Sequence, residues 1–130
     1  MNPDLFKLVA AGVVGAHGIG HVMGWLPAWG IARIDGVSSR SWLLTTLLGD
    51  GPTRAIAGLI WLAPTIGFLV AAGGFFAEQD WWRPVATASA IVSLLAIALF
   101  WEALPVGSRI GAVAVDLVVI GAVVTRWSPA

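Results

Sequence analysis

The chain contains no cysteine and very little charge. With Cys 0 in 130 residues, disulfides, thiolate metal sites and thiol redox chemistry are excluded, and the compartment is left open. Only 11% of residues are charged, against about 25% in soluble domains. That is too little polar side chain to coat a globule in water. The 7 Lys and Arg balance the 7 Asp and Glu, so no basic stripe exists to meet phosphates and a nucleic-acid surface is excluded. No low-complexity tract or soluble appendage is visible. Nor is the N-terminus expected to be a secretory leader. Asp4 precedes the single Lys7, and the apolar run that follows outlasts the roughly 7–15 residues of a leader's core.

Hydrophobic length is what the chain has instead: 58% hydrophobic residues and a mean hydropathy of +0.90. Four stretches run from about Leu5 to Leu26, Ala55 to Ala77, Trp82 to Trp101 and Arg109 to Trp127. Each is close to the roughly 20 residues a helix needs to cross a bilayer. Pro27 ends the first. Pro64 lies inside the second, where it frees the carbonyl of Ile60 for Thr65 or a neighbouring helix. Pro84 fits the first turn of the third. The expected fold is an all-α integral membrane bundle of four transmembrane helices, with the whole chain, 1–130, as one domain.

The longest connection separates the first two spans. In it Ser39 or Ser41 can cap a short helix and Gly49 can end it. Trp42, Leu43 and Leu47 would share one face, which predicts an interfacial helix over about Arg40–Gly49 lying across the end of the bundle. Trp25, Trp29, Trp42, Trp81, Trp82, Trp101 and Trp127 fall mostly near span ends, where indoles collect at headgroups. Localisation is expected to be multi-pass in a bacterial inner membrane. Arg33, Arg40, Arg54 and Arg109 on one side nearly balance Lys7, Arg83, Arg126 and the terminal amine on the other. The balance leans toward both termini outside.

Lipid gives helices no hydrophobic reason to associate, so close backbone contact has to supply it. Gly12, Ala16, Gly20 and Gly24 form a row of small residues on span one, which predicts that span one is the most buried. Ala63, Gly67 and Ala71 offer a row on span two. Ala86, Ser89, Ala90, Ser93 and Ala96 offer a broad face on span three, and Gly107 with Gly111 a pair on span four. Homo-oligomerisation through one of these rows is the competing use.

Three ionisable side chains interrupt the apolar runs. His17 and His21 are four apart and share a helix face. Asp116 sits mid-span, where a carboxylate costs about 2.5–3.5 kcal/mol on insertion scales and must face inward, protonated or paired. At about 1.5 Å per residue, His17 and Asp116 fall at nearly the same depth. A pocket lined by His17, His21, Trp61, Trp101 and Asp116, with Trp25 as a further contact, is therefore expected if spans one and four are neighbours.

Several uses fit these residue types. A His–Asp hydrogen bond holds one imidazole tautomer and raises its basicity, which suits acid–base or proton chemistry, or the binding of a lipophilic small molecule. His17 and Asp116 are then the candidate catalytic pair, and His21, Trp61, Trp101 and Trp25 the ligand contacts. His17, His21 and Asp116 could alternatively ligate a metal. The glutamate of His-Glu-x-x-His is missing, because Gly18 follows His17. A single histidine beside Gly18 and Gly20 could also ligate a haem or chlorophyll-type pigment. A purely structural His–Asp link between helices needs no ligand at all. An accessory subunit of a larger membrane complex is the alternative from another class.

Overall fold

Apolar runs of this length satisfy their backbone groups within themselves, and every regular element of the structure, a computed structural model describing residues 2–126, is a helix. The elements are α1 (Pro3–Gly20), α2 (Val22–Ala28), α3 (Leu44–Leu48), α4 (Asp50–Phe76), α5 (Trp82–Leu99), a 3-10 turn (Trp101–Ala103) and α6 (Val106–Val124). Four spans, Pro3–Ala28, α4, α5 and α6, are long and apolar enough to cross a membrane. Trp127, the expected end of span four, lies outside the described residues.

Local chemistry sets the ends. Asn2 caps α1 by accepting from the Asp4 amide, with Pro3 in the first turn. Gly49, at φ +82°, turns the chain out of α3 and into α4. Span two therefore begins at Asp50, earlier than Ala55, and Pro52 is tolerated in its first turn. The connecting helix is shorter than the expected Arg40–Gly49. The Ser41 hydroxyl accepts from the Leu44 amide and donates to the Leu99 carbonyl, so helix begins only after it. The Trp42 indole donates to the Ala98 carbonyl and fixes the same segment to the end of α5. α4 runs unbroken through Pro64, and Thr65 donates to the Trp61 carbonyl rather than to that of Ile60.

α4 is the organising helix. It packs against α1, α2, α3 and α5, while α6 packs against α5. In their most apolar stretches 39% of α4 is buried, against 11% for Pro3–Ala28. This overturns the expectation that span one is the most buried member. The row Gly12, Ala16, Gly20 is exposed, and a Cβ at Gly12 or Gly20 would meet nothing within 4 Å. The close approach to α4 is made instead at Gly18 and Gly24. There a Cβ would lie 2.9 Å from that of Phe68 and 2.3 Å from Cγ of Trp61. Gly107 and Gly111 on α6 likewise face open space. On α5 the small face is packed: Ala86, Ser89, Ala90, Ser93 and Ala96 are all buried. Among the described residues α1 and α6 share no extended contact, and a cleft separates them.

Candidate functional site

The site is built where α1 gives way to α2. The His21 amide bonds back to Gly18, and the Gly24 amide to His21, so the helix tightens to i→i+3 spacing around His21. That turn places the two imidazoles edge to face, with ring centroids 4.7 Å apart at 89°. Phe68 of α4 packs on both rings, and Trp61 lies 5.7 Å from His21. Aromatic walls thus fix both histidines between α1 and α4.

From there the polar groups reach across to α5 and α6. His17 Nε2 lies 2.8 Å from Asp116 Oδ1. Asp116 Oδ2 lies 2.6 Å from Ser93 Oγ, and Ser93 Oγ lies 2.7 Å from His21 Nε2. His21 Nδ1 donates to the His17 carbonyl at 2.9 Å. Asp116 and Ser93 are 0% exposed and His21 4%, so no water competes for these bonds. Every polar atom of the set is bonded except one. Among the described residues His17 Nδ1 has no hydrogen-bond partner.

His17 stands in the cleft between α1 and α6. Toward the loop-one end the cleft encloses about 450 Å³, lined by His17, His21 and Trp61 together with Gly20, Gly107 and Gly111. Toward the termini a second hollow of about 500 Å³ is lined by apolar side chains, among them Val9, Phe75, Trp82 and Val118. Val13 and Val115 border both, so the two hollows adjoin at the level of the His17–Asp116 bond.

The structure thus brings together His17, His21, Trp61 and Asp116, with Asp116 buried behind His17 and not part of the wall. Two expected ligand contacts are elsewhere. Trp101 is 43% exposed on the 3-10 turn, beneath the Arg109 guanidinium. Arg109 also donates to the Trp101 carbonyl, and these contacts hold the indole outside the cleft. Trp25 turns toward α4, where its indole donates to Thr65 Oγ1 at 3.2 Å. The three-ligand metal reading fails on geometry as well. His17 Nε2 is directed at Asp116 and His21 Nε2 at Ser93, so their lone pairs do not converge. Among the described residues no group of three His, Cys, Asp or Glu is placed to hold a metal ion. Axial ligation of a macrocycle by His21 is blocked, because both its nitrogens are bonded.

Ser93 is the participant that sequence reasoning assigned to packing. Its only signal is a hydroxyl on the small-residue face of span three, and Ser89 carries the same signal. In the structure Ser89 bonds only its own helix, at the Val85 carbonyl. Compared with protein families, with curated proteins and with solved structures, the chain matches none.

Proposed function

We propose that this is a multi-pass membrane protein that binds a lipophilic molecule in the cleft between α1 and α6 and exchanges a proton or hydrogen bond with its head group at His17. One observation carries the reading: the unpartnered Nδ1 of a histidine whose other nitrogen is tied to a buried carboxyl group. Asp116 Oδ1 accepts the Nε2 hydrogen and so fixes the tautomer, leaving the Nδ1 lone pair to accept from a ligand. A hydroxyl or phenol head suits that acceptor. The adjoining apolar hollow, about 500 Å³, is of a size that holds drug-sized hydrocarbon. Because α1 and α6 are not packed together, such a molecule could enter sideways from lipid. In this reading the loop-one segment, with Trp42 and Leu47 exposed, lies in the interface. Both termini face outward.

The test uses a brominated long-chain phenol as a quencher of Trp61 fluorescence in mild detergent, with Trp61→Phe as the reference. His17→Ala should weaken binding about tenfold, the equivalent of one hydrogen bond of about 1.4 kcal/mol. Gly20→Leu should block the cleft and abolish quenching. Unchanged binding in both variants would overturn the proposal. Co-purification of other membrane chains with a protein that fails both tests would point to the accessory-subunit alternative.

A further inference from the structure

Four short contacts close a ring around Asp116, and each requires a hydrogen of its own. A carbonyl only accepts, so at the His17 carbonyl the hydrogen belongs to His21 Nδ1. Neutral His17 supplies one hydrogen, from Nε2 to Asp116 Oδ1. Ser93 supplies one. An ionised Asp116 supplies none. Three hydrogens then serve four contacts, and Ser93 stands between two acceptors, Asp116 Oδ2 at 2.6 Å and His21 Nε2 at 2.7 Å. One of those contacts would set lone pair against lone pair, in a place where Ser93 and Asp116 are fully buried. Protonating His17 does not repair this, because its second hydrogen falls on Nδ1, outside the ring. The fourth hydrogen has to lie on the path from Asp116 to His21.

We infer that Asp116, Ser93 and His21 share one additional proton, resting on Asp116 Oδ2, and that the Ser93 hydroxyl relays it to His21. At rest Oδ2–H donates to Ser93 Oγ, and Ser93 Oγ–H donates to His21 Nε2. Every group is then neutral, which burial favours over a separated ion pair. In the relayed state the Oδ2–H bond breaks as Ser93 Oγ gains that hydrogen, and Ser93 gives its own to Nε2. Carboxylate and imidazolium result, the net charge is unchanged and no oxidant or reductant takes part. Ser93 is the carrier because among the described residues its hydroxyl alone bonds both the Asp116 carboxyl group and His21 Nε2. The relay does not depend on the ligand reading. If that reading holds as well, a proton accepted at His17 Nδ1 has a path through Nε2 and the carboxyl group to His21.

The experiment needs no ligand. Asparagine has the shape of a neutral carboxylic acid: its Oδ1 accepts from His17 and its Nδ2 donates to Ser93, so Ser93 still donates to His21. Purified in mild detergent, Asp116→Asn should unfold within about 2 °C of the wild type, while Asp116→Ala should fall by about 4 °C or more. The infrared spectrum of the wild type at neutral pH should contain the C=O stretch of a protonated carboxylic acid. Asp116 is the one buried acidic residue among those described, so the band should be absent in Asp116→Asn and shifted in Ser93→Ala. Nitrogen-15 spectra should show His21 neutral, with its hydrogen on Nδ1. Asp116→Asn as unstable as Asp116→Ala, or a wild type lacking the acid band, would overturn the inference. Should Asp116→Ala not fold, the band and its shift in Ser93→Ala decide the matter alone.

Discussion

α1 meets its two neighbours in opposite ways. Against α4 it closes to backbone distance, with Gly18 on Phe68 and, just beyond it in α2, Gly24 on Trp61. Toward α6 it leaves a cleft bridged by one hydrogen bond, from His17 to Asp116. Both faces carry glycines, so glycine alone does not mark the packed side. What differs is the partner. α4 presents large rings that need a notch, whereas α6 presents Gly107 and Gly111 opposite the exposed Gly20, and two surfaces without side chains leave space between them. Dispersion holds one face together, and a single polar ring holds the other.

The largest expected effect breaks the polar side. Asp116→Ala leaves the buried His17 Nε2–H without its acceptor and the buried Ser93 Oγ without its donor. It should cost about 3 kcal/mol, since stranded buried groups lose about 1–3 kcal/mol each. Reversible unfolding in detergent measures it. A loss below about 1 kcal/mol would mean that the ring contributes no more than an average interhelical hydrogen bond in a membrane. Gly24→Ala attacks the packed side. Its Cβ would fall 2.3–2.6 Å from three ring atoms of Trp61. That indole is 3% exposed and confined by His21 and Phe100. Overpacking of this kind costs about 1–3 kcal/mol, and the same unfolding measurement should show it. A neutral result would mean that Trp61 can move aside.

The two sides were also unequally legible from sequence. The meeting of His17 and Asp116 could be anticipated because depth along a helix is arithmetic: a fixed rise per residue brings two mid-span groups to one level. Rotation about the helix axis is not arithmetic. Spacing by four identifies Gly12, Ala16 and Gly20 as a row, but which row faces α4 depends on where Phe68 and Trp61 project. Trp25 and Trp101 depart from expectation for the same reason, since each indole is turned away by a partner, Thr65 for one and Arg109 for the other. Span ends show a similar split. α5 opens at Trp82 as its proline predicts, whereas α4 opens at Asp50, because the polar run Asp50-Gly-Pro-Thr-Arg looks like loop by hydropathy although Gly49 already turns the chain into helix. Ser93 was not legible at all, because its role lies in two partners that only tertiary structure supplies.

Gly20→Ala sharpens the comparison from the side where nothing should happen. It adds to the cleft wall the same methyl that Gly24→Ala adds to the packed face, and nothing lies within 4 Å of that point. The expected change in stability is within about 0.5 kcal/mol, with a helix-propensity gain acting in its favour. Destabilisation as large as that of Gly24→Ala would show that the cleft is closed in solution and that α1 packs on α6 after all.

The smallest effect concerns how the first turns of α1 are tied to the residues that follow α4. Lys7 pairs with Glu78, just beyond the end of α4. The hydrogen bond from Lys7, and then its positive charge, hold the Glu78 carboxyl below its ordinary range. A carboxyl with a lowered folded-state pKa stabilises above its unfolded value, and that contribution disappears as pH falls through the folded value. The pair's contribution to the unfolding midpoint should therefore be constant near neutral pH and decline as pH falls below 4.5, the ordinary value of a glutamate carboxyl. Glu78→Gln should remove that part of the acid-side decline and leave the neutral-pH midpoint nearly unchanged. Raised salt should shrink it too, since Glu78 is exposed to solvent and exposed pairs are screened. If instead Glu78→Gln lowers the midpoint as much as Gly24→Ala does, this exposed ion pair holds the first span to α4 as strongly as the Gly24 notch.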